Sequence, residues 1–329
     1  YGQIALLPRG DIWRDTAEPL QGLRSHIGDE LLIHLWGAFS EKGAGKKLTS
    51  HAELLKNGAI GFADDDYLIN IELLKRGLLV NEIGTAPLLI APRDRNIQGN
   101  GIIREGIEAL RSGWNPDPIY SETFPLTQLI ELQNQHPENQ IRLMNISTKK
   151  SIEILRKEKK PPLSTVCWWH LIKDSSSISI KGHDSIVRPS IGSPDDRKAL
   201  IDALQEKHIT AVSVHNCSID LDTKFLPPEQ QPTGISGYNL VLPSLWKELI
   251  VNSKWKVEEL WFAISFGPSK ILNTPEECLK EGSKRWLLFD PEKHWVNNLN
   301  DSQKTFCANQ PFQGEKIIGK VIACGLNNQ

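Results

Sequence analysis

The sequence lacks any apolar run long enough to span a bilayer, and it carries almost no net charge. Its longest apolar runs, residues 31–37 and 87–91, have the length of a β-strand, whereas a membrane helix needs about 20 apolar residues. The formal net charge of −2 provides no basic surface of the kind that binds nucleic acid. What remains is an ordinary globular composition, 39% hydrophobic and 24% charged over 329 residues.

Cysteine is scarce, and nothing in its spacing indicates a pair. The five cysteines are an odd number and form no Cys-x-x-Cys motif, so we expect no disulfide framework and a cytoplasmic protein. Each cysteine is interpreted as a small buried hydrophobe. The five are Cys167, Cys217, Cys278, Cys307 and Cys324.

No basic region followed by an apolar stretch precedes the first strand-like segment, so nothing in the given residues resembles a signal peptide. The sequence starts at Tyr1 rather than at a methionine. We therefore expect further residues ahead of Tyr1.

Short apolar segments alternate with amphipathic segments along most of the chain. The apolar segments are predicted to be strands buried on both faces, which indicates a parallel sheet with right-handed crossovers. Repetition of this unit favours an α/β fold of the TIM-type (β/α)8 barrel kind, and an open doubly wound sheet is the alternative. No Gly-x-Gly-x-x-Gly or Walker loop follows a strand, so a nucleotide-binding fold has no support. The predicted strands are residues 3–7, 31–36, 59–63, 87–91, 140–144, 164–168 and 210–214; the predicted helices are residues 20–26, 51–57, 69–79, 102–114, 126–136, 150–159, 195–206, 245–251 and 257–264.

The end of the chain has a different pattern. Residues 285–289 and 315–323 are predicted strands, and between them the sequence predicts at most a turn at 301–304. We interpret residues 1–283 as the barrel, lacking its first strand or strands, and residues 284–329 as the C-terminal part of a small β-sandwich appendage. A Pro-rich stretch at 227–232 is predicted to be a long surface loop, a kind of loop that often covers a ligand.

In a barrel of this kind the functional groups lie at the C-terminal ends of the strands. A zinc hydrolase needs histidines and carboxylates there, which bind the ion and activate its water. Few residues at these strand ends could bind zinc, and for each of them a purely structural role is the alternative interpretation. The two histidines are interpreted as hydrogen-bonded structural residues, and the three aspartates as caps of a helix starting near Tyr67. These candidates are Asp64, Asp65, Asp66, His170 and His215.

Three arginines are predicted near the same rim: Arg9, Arg93 and Arg188. Guanidinium groups bind anionic ligands through paired hydrogen bonds. The same groups pair equally well with aspartates such as Asp11, Asp64 or Asp94 and close the mouth of the barrel. The sequence leaves both interpretations open.

Several motifs resemble the dihydroorotase family of the amidohydrolase superfamily. Residues 266–272, Phe-Gly-Pro-Ser-Lys-Ile-Leu, are similar to its Asn-Pro-Ala-Lys-Ile-Leu segment, and residues 309–314, Asn-Gln-Pro-Phe-Gln-Gly, are similar to its Asn-Thr-Pro-Phe-x-Gly segment. Residues 61–65, Gly-Phe-Ala-Asp-Asp, and residues 234–237, Gly-Ile-Ser-Gly, match two further segments. The resemblance runs from Tyr1 to about Gly325. It implies a barrel that reversibly cyclises carbamoyl-aspartate, usually with zinc.

The resemblance also implies which positions would carry that chemistry. Two metal-ligand histidines fall on Ala91, within Ala-Pro-Arg-Asp where the family has His-x-Glu-Asp, and on Asn145. The catalytic aspartate falls on His215. Among the implied metal positions in this sequence, Asp64 alone matches, and the family's His-x-His pair would precede Tyr1. The substrate-site positions of the family fall on Arg9, Arg188 and Gly192.

These differences from the family pattern all replace groups that would bind the metal or accept a proton. Ala91 has no ligand atom, Asn145 is a poorer zinc ligand than an imidazole, and His215 cannot accept a proton as a carboxylate does. We therefore predict a pseudoenzyme, with no catalytic residues and no metal expected, that has a structural or regulatory function. The resemblance implies aspartate transcarbamoylase as the first candidate partner, and it implies a homodimer because family members are often dimers. No nucleic acid and no membrane span are expected.

Two alternatives stay open. One is an active zinc-dependent dihydroorotase, or another cyclic-amide hydrolase of pyrimidine biosynthesis, with a rearranged site that uses Asp64, Asp65, His170 and His215. The other is an anion-binding sensor that uses the three arginines. A partner surface would be apolar, and the tryptophans that belong either to it or to the core are Trp114, Trp246, Trp255, Trp261 and Trp286.

Overall fold

A curled parallel sheet surrounded by helices forms most of the molecule. The computed structural model describes residues 4–27, 33–177, 186–283, 285–298 and 307–326. Within these ranges, seven strands pair in parallel. They are β1 (Ile4–Leu6), β2 (Ile33–Ala38), β3 (Ala59–Ala63), β4 (Leu88–Ile90), β7 (Ile141–Leu143), β8 (Leu163–Cys167) and β9 (Ala211–Ser213). A separate parallel pair is formed by β5 (Ile103–Arg104) and β6 (Pro116–Asp117).

The strand order of the large sheet is β1-β2-β3-β4-β7-β8-β9. Each strand therefore lies beside the next one along the chain, apart from the inserted pair β5–β6. A doubly wound sheet reverses its order at a switch point, and this sheet never does. The open-sheet alternative is wrong, and the sheet winds in one direction as a barrel does.

The helices follow the strands and cover the outside of the sheet. The helix Tyr238–Leu245 continues as a π-helix over Trp246–Asn252, and a second π-helix, Phe262–Phe266, joins the helices Val257–Trp261 and Gly267–Leu272. The helices are α1 (Ala17–His26), α2 (His51–Lys56), α3 (Ile71–Val80), α4 (Arg95–Gln98), α5 (Ile107–Ser112), α6 (Tyr120–Gln135), α7 (Lys149–Leu155), α8 (Trp168–Ile172), α9 (Pro194–Gln205), α10 (Tyr238–Leu245), α11 (Val257–Trp261) and α12 (Gly267–Leu272). Turns of 3₁₀-helix occupy Glu41–Gly43, Ser175–Ser177, Leu221–Phe225 and Pro228–Gln230.

Two apolar clusters divide the interior. Successive strand residues point to opposite faces of a sheet, and Leu35, Leu88 and Leu143 pack in the larger cluster beneath the helices. Their neighbours Trp36, Leu89 and Met144 pack in a smaller cluster on the inner face, together with Ala63 and Ala91. Gly61 leaves room for this packing, because a Cβ there would lie 2.6 Å from the Trp36 ring.

Most predicted elements are present with ends shifted by up to about four residues, but the strand predicted at 285–289 extends to Val296 and one prediction was wrong. Residues 102–114 were expected to form one helix. Instead they contain β5 and the shorter helix α5, and Gly106 separates the two with a φ of +154°. Helix α6 begins at Tyr120 rather than at 126. The predicted turn at 301–304 lies outside the described residues.

The end of the chain forms two long antiparallel strands, β10 (Arg285–Val296) and β11 (Lys316–Leu326). One face of this pair packs against the barrel core through Leu287, Phe289 and Val321. The pair carries several exposed apolar side chains, among them Trp286, Leu288, Ile318 and Ile322. The division of the chain at residue 284 and the β-sandwich remain predictions.

The cysteines and tryptophans do not all take the predicted environments. All five cysteines are free, as expected, but Cys217, Cys278 and Cys324 are exposed, so their interpretation as buried hydrophobes was wrong. Trp255 is buried, whereas Trp286 is 43% exposed. Trp246 and Trp261 pack partly buried against the core, and Trp114 is half-buried. No helix in the described part of the chain combines the length and apolarity needed to cross a membrane.

Candidate functional site

The aspartates after β3 have three different partners, and none of them caps α3. That helix begins at Ile71, and its N-cap is Asn70, which accepts hydrogen bonds from the amides of Glu72 and Leu73. The predicted capping by the aspartate triplet was therefore wrong. Its carboxylates are used in tertiary contacts at the C-terminal end of the sheet.

Asp64 joins the ends of β2 and β3. Its carboxylate accepts hydrogen bonds from the Ser40 amide at 2.9 Å and from the Ser40 hydroxyl at 2.6 Å. The residue is only 4% exposed, and burial raises the pKa of Asp64 to about 6 despite these donors. Both oxygens of Asp64, the residue that the resemblance matches to a metal position, thus already accept hydrogen bonds from Ser40.

Asp65 and Asp66 each pair with an arginine. Arg9 Nη1 lies 2.9 Å from both oxygens of Asp65 in a solvent-exposed pair. Arg93 donates from Nε to the Asp66 carbonyl at 2.7 Å and from Nη2 to the Asp66 carboxylate at 3.2 Å. Two of the three arginines therefore pair with acids, although the predicted partners Asp11, Asp64 and Asp94 were wrong.

Asp94 instead caps α4, where it accepts from the amides of Asn96 and Ile97. The third arginine, Arg188, is half-buried. Its guanidinium carbon lies 5.3 Å from the centre of the Tyr67 ring, and that of Arg95 lies 5.5 Å from the same ring. These distances are those of cation–π contacts.

Ala91 follows β4 and lies in the inner apolar cluster. Its neighbours there are Trp36, Ala63, Leu89 and Met144, and Ala91 is completely buried. A methyl group surrounded by hydrocarbon offers no lone pair to a metal ion. The position that the resemblance assigns to a ligand is here part of the core.

Asn145 follows β7 and connects three strands. Its amide oxygen accepts from the hydroxyls of Thr165 on β8, at 3.2 Å, and Ser213 on β9, at 2.5 Å. Its backbone amide donates to the Thr165 hydroxyl at 2.9 Å. Asn145 has a φ of +56°, a conformation that asparagine tolerates better than most residues. The side chain therefore already has hydrogen-bond partners where a ligand would be needed.

The two histidines differ in environment. His170, in α8, is buried, and its Nε2 lies 3.0 Å from the Pro189 carbonyl, so Nε2 carries the proton. Burial lowers the pKa of His170 to about 4, and the ring is neutral. This is the hydrogen bond that the structural interpretation expects. His215 follows β9 and is half-buried; burial lowers its pKa, Asp66 opposes that change and Arg93 adds to it.

Gly192 leaves no space for the arginine that the resemblance places there. A Cβ at this position would lie 2.8 Å from the Asp196 carboxylate. That carboxylate accepts hydrogen bonds from the amide and hydroxyl of Ser193, which forms the capping box of α9. The start of α9 therefore fills the position.

A buried ionic cluster that sequence reasoning missed lies beside this site. Arg104 on β5 contacts Asp117 on β6 at 3.0 Å and Glu122 on α6 at 2.9 Å. Glu122 also accepts from the amides and hydroxyls of Ser147 and Thr148 and from the Ser151 hydroxyl. Burial alone would raise the pKa of Glu122, but Arg104 and these donors outweigh it and hold the pKa below its ordinary value.

The residues present do not fit a zinc centre. Structural and catalytic zinc sites need at least three nitrogen, sulfur or carboxylate ligands converging at about 2.0–2.3 Å. In the described ranges, no three His, Cys, Asp or Glu side chains are placed to hold a metal ion. The positions implied by the resemblance provide a methyl group, an engaged amide and an engaged carboxylate. The rearranged set of Asp64, Asp65, His170 and His215 does not converge either.

Comparison with known proteins identifies sequence relatives of this chain among dihydroorotases and dihydroorotase-like proteins. No family model matches the chain. A probable dihydroorotase-like protein of Synechocystis is 30% identical over 357 residues, covering 98% of this chain and 79% of that protein. A dihydroorotase of Listeria monocytogenes is 24% identical over 98% of this chain and 77% of its own length. With the Anaplasma phagocytophilum dihydroorotase the identity is 26%, over 88% of this chain and 65% of that protein, so the chain spans slightly less than two thirds of this relative.

Solved structures have the same fold at much lower identity. The L-hydantoinase of Arthrobacter aurescens superposes with a TM-score of 0.82 at 14% identity, covering 99% of this chain and 76% of its own. A Saccharomyces cerevisiae dihydroorotase in complex with 5-fluoroorotic acid superposes with a TM-score of 0.71 at 13% identity, covering 98% and 90%. These neighbours confirm the predicted α/β barrel fold.

Proposed function

The chain belongs to the dihydroorotase-like family, and on that premise we propose that it has no metal-dependent hydrolase activity and acts as a structural or regulatory partner of another protein. The observation that carries this proposal is the environment of Ala91, which is fully buried among apolar side chains of the inner cluster. Placing an imidazole and a hydrated cation there would require desolvating a charge against hydrocarbon.

Two further positions support the proposal. The Asn145 amide oxygen already accepts two hydroxyl donors. At position 215, a neutral imidazole of lowered pKa stands where the resemblance implies a catalytic carboxylate. A general base must be able to take a proton from the nucleophilic water while the metal holds it, and no such pair is formed by these groups.

The first test is an assay of dihydroorotase activity on the complete purified protein, with bound zinc quantified on the same sample. We expect no turnover and no stoichiometric zinc. The Listeria monocytogenes dihydroorotase, purified and assayed in parallel, controls for the assay. Turnover accompanied by about one zinc per chain would establish the alternative, a zinc-dependent cyclic-amide hydrolase with a rearranged site.

For the partner, aspartate transcarbamoylase is our first candidate, as the resemblance implies. The exposed apolar face of β10 and β11 is the surface we assign to this contact, because interfaces place apolar and aromatic side chains at their centre. The measurement is co-elution with aspartate transcarbamoylase from the same organism. Loss of the complex in Trp286→Ser, but not in Trp114→Ser, would support this face. Elution of the chain alone as a dimer would point to a homodimer instead.

One observation favours a second candidate, the anion-binding sensor. Arg188 and Arg95 both place a guanidinium against Tyr67 at the rim, although Arg9 and Arg93 pair with aspartates. A ligand that binds only the native state raises the unfolding midpoint. Carbamoyl-aspartate, dihydroorotate and phosphate are the ligands to test, and no stabilisation by any of them would remove this candidate.

A further inference from the structure

Arg142, on β7, is a buried cation without an acidic partner in the described part of the chain. Its exposed fraction is 9%, and burial alone lowers the pKa of Arg142 to about 10, with no carboxylate near enough to oppose the change. Two other buried arginines differ, because Arg93 lies 3.2 Å from a carboxylate and Arg104 lies 2.9 Å from one. Desolvating a guanidinium is costly unless another charge offsets it, so the charge of Arg142 requires a counterpart.

The Arg142 side chain lies on the inner face of the sheet. Ile141 and Leu143, its neighbours in the strand, pack in the larger cluster beneath the helices, and successive strand residues point to opposite faces. Leu89 of β4 pairs with Arg142 in register, and Leu89 and Met144 belong to the inner apolar cluster. The guanidinium therefore borders hydrocarbon side chains, which cannot compensate its charge.

Several donors of this guanidinium have no acceptor. An arginine side chain carries five N–H bonds, of which one, on Nη2, donates to Gln140 Oε1 at 2.6 Å. Nη1 lies 3.5 Å from the Ile141 carbonyl, at the outer limit of a hydrogen bond, and the buried Nε has no hydrogen-bond partner among the residues that the structure describes. The side-chain NH2 group of Gln140 adds two more N–H bonds beside them. Such a group of donors is suited to an anion.

A cavity of about 360 Å³ opens at the same end of the sheet. Its lining comes from the starts of β3 and β4 and the end of α12, and includes Ile60, Pro87 and Leu272. The Leu88 amide, at the start of β4, donates to the Gln140 carbonyl at 2.9 Å, so β4 borders both the cavity and Gln140. Small solutes can therefore approach the N-terminal end of β7 from this side.

We propose that Arg142 and Gln140 form a binding site for a small oxyanion, specifically a phosphate group, near the N-terminal end of β7. The anion supplies the missing counter-charge, and its oxygens accept hydrogen bonds from Nε and Nη1 of Arg142 and from the Gln140 amide. Guanidinium groups bind phosphate strongly because each hydrogen bond is charge-assisted. The site goes beyond the proposed function, since it lies at the opposite end of the strands from Arg9 and Arg93, which follow the C-terminal ends of β1 and β4.

The test is thermal unfolding of the dialysed protein with and without about 10 mM inorganic phosphate, at an ionic strength matched with chloride. A ligand that binds only the native state raises the midpoint, and we expect a saturable rise of about 2 °C for the wild type. Arg142→Met should show no rise. Without phosphate this variant should unfold at or above the wild-type midpoint, because an apolar side chain of similar length removes an uncompensated charge. A purely structural role for Arg142 predicts instead a lower midpoint in both buffers.

Arg156→Met is the matched control for the loss of a positive charge. Arg156 follows α7, and its guanidinium pairs with Glu206 at the surface, so this variant should keep the full phosphate response. Arg188→Met, at the rim of the mouth, should keep it as well. Glycerol phosphate, tested in the same way, distinguishes the source of the phosphate group: an equal rise would assign the site to a phosphate monoester, and no rise would restrict it to free phosphate.

The outcomes separate this site from the functions proposed above. No rise for the wild type, or an unchanged rise in Arg142→Met, would overturn the inference, and loss of the rise in Arg188→Met alone would assign the phosphate to the rim instead. If Arg142→Met does not fold, Gln140→Leu decides, because it keeps the guanidinium but removes its partner amide. Titration calorimetry should then show phosphate affinity roughly fivefold weaker, and unchanged affinity would overturn the inference. None of these results bears on the hydrolase assay, so the proposed function stands or fails separately.

Discussion

Different interactions hold together the two halves of the barrel mouth, which are the ends of β1, β3 and β4 on one side and the ends of β7, β8 and β9 on the other. Ion pairs join the end of β3 to the segments after β1 and β4, Asp65 with Arg9 and Asp66 with Arg93. The ends of β7, β8 and β9 are joined by the neutral hydrogen bonds of Asn145, and His170 in α8 makes a neutral hydrogen bond to the Pro189 carbonyl. A buried charge that loses its partner is costly, whereas a neutral hydrogen bond contributes about 0.5–1.5 kcal/mol. The two halves should therefore respond differently to substitution and to pH.

Removing the charge of Glu122, which lies where the two halves meet, should have the largest effect. In Glu122→Gln, Arg104 loses one buried acid, and a single amide oxygen replaces a carboxylate that accepts from Ser147, Thr148 and Ser151. We expect the free energy of unfolding to fall by about 3–5 kcal/mol, measured by urea denaturation. Glu131→Gln on the exposed side of the same helix is the control. Equal effects in both variants would contradict a special role for the buried cluster.

Acid should weaken the neutral half through His170. Its folded pKa of about 4 lies below the ordinary value of 6.5, so the unfolded state binds the proton first as pH falls. The stabilisation is therefore complete above about pH 6.5 and is lost progressively between 6.5 and 4, by about 3 kcal/mol in total.

The measurement for this prediction is the free energy of unfolding from pH 7 to pH 4, compared between wild type and His170→Gln. The glutamine keeps a donor for the Pro189 carbonyl but does not titrate. The difference between the two curves should shrink as pH falls. Parallel curves would show that His170 carries no such linkage.

Asn145→Ala should lower the free energy of unfolding by about 2 kcal/mol, less than the loss expected from protonation of His170. The substitution removes the acceptor of the Thr165 and Ser213 hydroxyls, and alanine is less favourable than asparagine at a φ of +56°. Chemical denaturation measures the loss, with Asn96→Ala on the exposed helix α4 as the control. A loss within 0.5 kcal/mol, as for ordinary surface substitutions, would mean that the three strands do not depend on this amide.

Arg9→Ala should have the smallest effect, at most about 0.5 kcal/mol. Its pair with Asp65 is solvent-exposed, and such pairs are screened by salt. Unfolding at low and high salt should show the small difference disappearing as ionic strength rises. A large loss that is insensitive to salt would show that the Arg9–Asp65 pair behaves as a buried ion pair.

Local patterns in the sequence were enough for most of the fold, because apolar period and length fix where a strand or helix forms. Strand β3 was predicted with its observed bounds, Ala59–Ala63. The error at residues 102–114 arose because a two-residue strand leaves too short a pattern to recognise. The sequence offered no sign of the cluster of Arg104, Asp117 and Glu122, since its members are isolated polar residues whose burial depends on packing.

The sequence by itself determined the barrel and the family, and it predicted that Ala91 and Asn145 stand where the family has metal ligands, because these follow from residue type and local order. Only the tertiary structure decided what took their place. It put Ala91 among hydrocarbon side chains, gave Asp64 to Ser40 and paired Arg93 with Asp66. Partner choice among charged residues depends on distances between segments far apart in the chain, and those distances exist only once the strands have come together.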